Sequence, residues 1–465
     1  MSFGGLLSIA RSGLAASQAH IAVTSQNVTN AQTPGFSRQR LQVTQSDPLR
    51  VPQGNFGTGV SMRGTMRVRD EVMDDGYRHD SQYAARNEEH RNAMTAIENV
   101  LGEPSESGLA TSLELFWNSW SDLSVNPESG AARSVVRQRG AQVATQLNTF
   151  GNQIVDAQTA TRTRMLETAD RVNALAGQVA AINARIVAAE AGGKEAPDMR
   201  DLRDAHIDEL ASLVGATAYP QANGSVNVNI GGDSLVDGAN FKTVRVQSEI
   251  SDPTRLGIAL GGLSATGGPT ETMYQLGGQM AGFVTSYNDT YPDALTRLDG
   301  IAAALVTETN AVHGTGFVGS TPANDFFSAA HTTARTIRLD AAIVANVNNI
   351  AASGISGEAG DNTIALALSQ LRDTKVSVNG GTASISEGYR TVVAHIATAT
   401  NAANGTATAA RTLATQSNTR RESIKGVSID EEMVNLMKYQ QSYAAAARLI
   451  SVVDEMSQTL INMAR

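Results

Sequence analysis

The chain contains no cysteine, which excludes a disulfide framework, a thiolate metal site and a cysteine nucleophile. Aromatic residues are scarce, at 5% of 465 positions against 41% hydrophobic overall. Small and aliphatic side chains therefore carry the apolar content, a composition suited to closely packed helices. Positive charge is also short: 36 Lys and Arg against 45 Asp and Glu give a net charge of -9 and a pI near 5.4. A nucleic-acid footprint needs Lys and Arg concentrated on one face to neutralise phosphates, so no nucleic-acid partner is expected. No run of about eighteen apolar residues suggests membrane insertion, and the N-terminus lacks the basic head and long apolar stretch of a secretory signal. Composition alone predicts a cytoplasmic protein.

Chemistry is equally thin. The string GTGFVG from Gly314 to Gly319 matches a three-glycine dinucleotide pattern, but that pattern needs a strand before it and a helix after it. Here a helical stretch precedes it, so a helix end followed by a turn is expected. No Walker-type loop is present. Histidines at 20, 79, 90, 206, 313, 331 and 395 lack the spacing that puts two imidazoles on one metal. His313 should bond a local carbonyl. Adjacent carboxylates at Asp74 with Asp75, Glu88 with Glu89 and Glu431 with Glu432 point away from each other on a helix, and are expected on solvated faces. Catalytic, metal and cofactor sites are thus all expected to be absent.

What the chain does have is a seven-residue apolar period at each end. Leu7, Leu14, Ile21 and Val28 recur at one terminus, with small Ala10, Ser17 and Thr24 between them. Leu436, Tyr439, Tyr443, Ala446, Ile450, Val453 and Leu460 recur at the other. A strict period of seven lays a narrow seam that is buried by supercoiling with another helix, and the obvious partner is the opposite end. These eleven residues are the expected assembly interface. A helix of about two dozen residues carrying Gly13 and several Ser and Thr is marginal alone, so the ends are expected to be disordered until assembled.

Between the ends, length suggests two to four folded units. The expected fold class is mainly α with inserted β. Long terminal helices form a coiled-coil inner layer, beside a helical bundle domain and a small antiparallel β domain. Residues 1–70 hold the N-terminal axial helix and a loop-rich stretch. Residues 71–215 read as helices broken near 102–107, 126–130 and 191–197. In their last part Val172, Leu175, Val179, Ile182 and Ile186 recur at three and four, a core-facing stripe flanked by polar Gln178, Asn183 and Arg185. Residues 216–275 alternate as strands, with Val226, Val228 and Ile230 followed by a Gly231-Gly232 turn. Residues 276–400 return to helical and mixed structure. Residues 401–465 close with axial helices, the last from about Ile429 to Met463 with Asp430, Glu431 and Glu432 at the favourable end of its dipole.

Specific strings add to this pattern. NVTNAQTPGFSRQR from Asn27 to Arg40 resembles the signature shared by flagellar rod, hook and hook-associated axial proteins. GVSIDEEMVNLMKYQQSYAAAARLISVVDEM from Gly426 to Met456, with its run from Ser428 to Glu432, resembles the hook-associated protein 1 family of first hook-filament junction proteins. NVNIGGDSLVDG from Asn227 and NAVHGTGF from Asn310 agree. The resemblance covers nearly the whole chain, which is shorter than many relatives, as a reduced β insertion would make it. It implies nested layers and a structural adaptor of the bacterial flagellum joining hook to filament. That adaptor is exported through the flagellar type III apparatus with no cleaved signal, to an extracellular position. The implied partners are the hook protein, the second hook-filament junction protein, further copies of the chain in a ring or helical layer, and an export chaperone on the C-terminal helix. A rod or hook subunit is the alternative within the superfamily. A secreted hydrolase or adhesin, with its cleft in residues 216–275, is the alternative outside it.

Overall fold

A computed structural model of the chain describes residues 3–51, 54–261 and 276–463. The first helix, α1 (Phe3–Thr29), stops where Thr33, Pro34 and Gly35 follow. Gly35 takes a φ of +82°, a left-handed conformation that a side chain would strain. The loop-rich stretch then forms a ribbon: β1 (Gln39–Gln45) pairs antiparallel with β4 (Val60–Arg67), and β2 (Leu49–Val51) with β3 (Gly54–Phe56).

Four helices follow, each bounded by local chemistry. Asp70 accepts the Val72 and Met73 N–H groups to open α2 (Glu71–Leu101), which Gly102 closes in a left-handed cap. After α3 (Leu109–Val125), Ser129 accepts the Ala132 N–H at the start of α4 (Gly130–Glu190). That helix is about 90 Å long at the standard rise. Proline then opens α5 (Pro197–Val214). The breaks lie where Gly, Pro and Ser punctuate the sequence.

The β unit is a four-stranded antiparallel sheet of β5 (Thr217–Pro220), β6 (Val226–Ile230), β7 (Asp233–Asp237) and β8 (Asn240–Phe241). A hairpin of β9 (Val244–Ser248) and β10 (Leu256–Leu260) follows. The rest of the stretch expected to be β, residues 262–275, lies outside the described residues. Then come α6 (Gly278–Thr285), a π turn at Ser286–Thr290 and α7 (Tyr291–His313). The GTGFVG string ends α7 and enters the short pair β11 (Phe317–Val318) and β12 (Thr321–Pro322), the turn expected of it. A side chain at Gly316 would meet Ala351 Cβ at 2.8 Å, so packing accounts for that glycine. The chain finishes with α8 (Ala341–Ala345), α9 (Thr363–Gln370), hairpin β13 (Val376–Val378) and β14 (Gly381–Ala383), α10 (Ile385–Lys425) and α11 (Ile429–Met463).

Burial groups these elements into two cores threaded by α4. Trp117, Trp120 and Phe116 of α3 pack with Phe326, Phe327 and the inner faces of α2, α7 and α10 in the first. The second joins the later half of α4, α5, α6 and the sheet, and includes the whole expected stripe from Val172 to Val179. Ile182 and Ile186 are buried too. By length and mean hydropathy one window of α4 could cross a membrane, but the helix lines both cores from Val136 to Val179. Asn183, expected to flank the stripe, is itself fully buried. Its amide donates to the Val226 and Gly238 carbonyls and accepts the Val226 N–H, clamping the sheet to α4.

Candidate assembly interface

The two ends of the chain pack against each other. Asn27 lies beside Glu432 and His20 stacks on Tyr439 with ring centroids 4.2 Å apart, so α1 and α11 run antiparallel. The face that α1 turns inward is not the one its larger side chains suggested. Ala10, Ser17, Thr24 and Asn27 are buried, whereas Leu14, Ile21 and Val28 are half-buried and Leu7 is 45% exposed. With Gly13 and His20, the inward residues are spaced three and four apart, a heptad seam of small and polar side chains. Small residues let two helices approach closely, and the large residues of α11 fill the space. The expected stripe flanks this seam.

On α11 most of the expected residues lie at least half-buried on the side towards α1. Ala446 and Val453 are buried, and Leu436, Tyr439, Tyr443 and Ile450 are half-buried. Leu460 departs from it at 48% exposed. The antiparallel alignment that sets Asn27 beside Glu432 and His20 on Tyr439 leaves Leu460 opposite no described residue of α1, which starts at Phe3. Leu460 joins a second apolar face that sequence reasoning missed: Val434, Met437, Leu449, Val452, Met456 and Met463 are all about half exposed or more. The signal was present, since Leu449, Val452, Met456, Leu460 and Met463 recur at three and four.

Buried charge ties this pair to the body, and here the carboxylates expected on solvated faces need correction. One member of each adjacent pair is turned inward. Glu432 is 2% exposed and takes Arg38 Nε at 2.8 Å and Asn27 Nδ2 at 3.1 Å, while its exposed neighbour Glu431 pairs with another nitrogen of Arg38 at 2.8 Å. Asp74 is buried against Arg69 and Arg421, and Glu89 against Arg164 and Gln279. Neighbours do point apart on a helix, but one of the two directions led into the protein.

Around Asp74 a collar of ion pairs joins the ribbon to α2, α5 and α10. Arg67 reaches Asp201 at 2.9 Å and Asp204 at 2.7 Å. Arg69 reaches Asp204 at 2.6 Å, and Arg78 with Arg421 holds Asp208. Burial works to raise the Asp204 carboxyl, but Arg69 and Arg67 overcome it and hold it at about 2. Ser37 donates its N–H and hydroxyl to Asp201, which fastens the NVTNAQTPGFSRQR turn to α5. A cavity of about 630 Å³ opens beside the collar, lined in part by Arg67, Asp204 and Gly224.

His313 is fully buried. Its Nδ1 lies 2.6 Å from the Asn324 carbonyl and its Nε2 accepts the Ala351 N–H at 3.0 Å, the local carbonyl partner expected from sequence. Burial pushes its pKa down to about 4. It is a structural clamp held neutral.

Comparison with known proteins places this architecture. A family model described as the flagellar hook-associated protein FlgK helical domain matches residues 94–327, half of the chain. One described as the flagellar basal body rod FlgEFG protein C-terminal matches residues 423–463. The chain is 29% identical to the flagellar hook-associated protein 1 of Bacillus subtilis (strain 168), covering 98% of this chain and 97% of that one. It is 24% identical over 549 residues to that of Escherichia coli (strain K12), covering 98% and 99%, so that alignment is longer than this 465-residue chain. The solved flagellar hook junction protein FlgK from Burkholderia pseudomallei shares the fold, with a TM-score of 0.66 at 15% identity over 76% of this chain and all of that one.

Proposed function

Since the chain belongs to the flagellar hook-associated protein FlgK family, we propose that it is the structural subunit that joins hook to filament, through α1 and α11. The observation that carries this reading is the second apolar face of α11. A helix already paired with α1 still presents Val434, Met437, Leu449, Val452 and Met456 outward. Contiguous exposed apolar surface of this kind marks an interaction site. Neighbouring copies of the chain cover it when α1 and α11 pack into an inner layer. The same face, exposed before assembly, is where an export chaperone would bind.

In this reading the hook protein lies below the layer and the second hook-filament junction protein above it. The chain leaves the cell through the flagellar export apparatus without a cleaved signal. Residues 1–70 and 401–465 form the axial part, and residues 71–400 the outer body with its β unit at 216–275. The work is mechanical and needs no catalysis. Each heptad Leu or Ile buried on assembly contributes roughly 1.5 to 3 kcal/mol, which must offset the ordering of the terminal residues, so assembly is cooperative. Deleting the gene and imaging hooks and filaments separately tests the role. Bare hooks with filament protein lost to the medium are expected; absent hooks would move the chain to the rod or hook class, and intact flagella would overturn the reading.

A further inference from the structure

A heptad seam specifies a face but not an alignment. Ala10, Ser17 and Thr24 repeat every seven residues, and so do Tyr439, Ala446 and Val453 opposite them. Sliding α1 by one heptad, about 10 Å along α11, replaces one small residue with another of the same kind. Something other than the apolar pattern must choose among these alignments.

We propose that Glu432 is the positioning residue that sets the register of α1 against α11 and fixes the pair on the body. Its carboxylate is the most deeply buried charge at this junction, at 2% exposed. It binds Asn27 from α1 and Arg38 from the turn that follows. Asn27 in turn donates to the Gln39 carbonyl and accepts the Gln39 N–H, and the Arg38 N–H donates to the Lys425 carbonyl at the end of α10 at 2.8 Å. One carboxylate therefore connects α1, β1, α10 and α11. The strings from Asn27 to Arg40 and from Gly426 to Met456, far apart in sequence, meet at this point.

In an alignment slipped by seven, the place of Asn27 would fall to His20 or Pro34. Proline has no donor, and moving His20 there would break its stack with Tyr439. Removing a partner from a buried charge is costly, and a single polar residue in a heptad seam is an established way to fix register. Slipped alignments are thus rejected by charge, not by loss of apolar contact. The consequence for layer geometry rests on the assembly role proposed above; the register assignment itself does not.

Because the chain has no cysteine, engineered pairs report alignment without background. In the full chain, His20→Cys is combined with Tyr439→Cys for the native register or with Ala446→Cys for the slip that carries Pro34 towards residue 432, Gly13→Cys is combined with Tyr439→Cys for the slip that carries His20 there, and each pair is treated with a short bismaleimide before assembly. With Glu432 present, only the 20–439 pair should crosslink. Glu432→Leu keeps the helix and the burial but removes the charge; the 20–446 or the 13–439 crosslink should then rise from background to a yield comparable with the native pair. Glu432→Asp, which keeps a carboxylate to accept from Asn27 and Arg38, should restore the native pattern, and Glu431→Gln should not disturb it. A Glu432→Leu chain that crosslinks only at 20–439 would overturn the proposal. So would loss of all three crosslinks, because Glu432 would then hold the helices together without choosing between alignments. Circular dichroism on each variant confirms that the body is folded. Normal incorporation of the slipped chain into flagella would overturn the assembly reading and leave the register assignment standing.

Discussion

The body and the terminal pair are both helical, yet they are built on different terms. In the body, Phe116, Trp117, Trp120, Phe326 and Phe327 are at most 1% exposed, and α4 lines two cores. In the terminal pair, the buried hydrophobic residues are Ala10, Ala16, Ala446 and Val453, and α11 leaves an apolar face to solvent. The body has completed its burial within one chain. The pair buries one side of α11 and leaves the other exposed, the side that neighbouring copies cover in the proposed assembly. What couples them is not hydrophobic contact but the carboxylates Glu432, Asp201, Asp204 and Asp74 with their arginines.

The contrast can be broken from either side. The largest effect is on assembly. Leu14→Asp or Ile450→Asp should abolish incorporation into flagella while leaving the thermal melt of the body in place, and normal incorporation of both would remove the terminal pair from the interface. Within the body, Trp120→Ala should cost about 3–5 kcal/mol of stability, read by chemical denaturation. Asp204→Ala should cost a similar amount, about 3–5 kcal/mol, because Arg67 and Arg69 lose a buried partner. Asp204 is held at about 2, below its ordinary value of 3.8. Its contribution is therefore complete above that ordinary value and lost as pH falls through about 2.

His313 gives the next effect. Its folded pKa of about 4 lies below the ordinary 6.5, so the unfolded chain takes up the proton first as pH falls. Its contribution is complete above pH 6.5 and declines towards pH 4 by about 3 kcal/mol in all. Replacing His313→Asn should flatten that slope, and an unchanged slope would refute the clamp. The smallest effect is Val453→Ala, which should shift the melting point of the body by less than about 2 °C, since the pair can open locally before the body unfolds.

How much of this was legible in sequence depends on how local its cause is. Helix ends were readable because Gly102, Ser129 and Pro197 act on their own backbones. The stripe from Val172 to Ile186 was readable because one helix carries it. The inward face of α1 was not, since Ala10, Ser17 and Thr24 look like filler until the large residues of α11 are set against them. Nor could the burial of Asp74 be seen: Arg69 is five positions away, but Arg421 arrives from another helix. The outer face of α11 was legible in principle and overlooked, because its spacing of three and four runs alongside the heptad repeat and shares Leu460 with it.

In the proposed assembly the terminal pair gains its stability from neighbouring copies, while the body is complete alone. Hydrogen exchange on the full, unassembled chain tests it most directly. Amides of α1 and α11 should exchange orders of magnitude faster than those of α3 and the buried middle of α4, at rates set by local opening. Protection of the terminal helices equal to that of α3 would contradict it, because the ends would then belong to the same cooperative core.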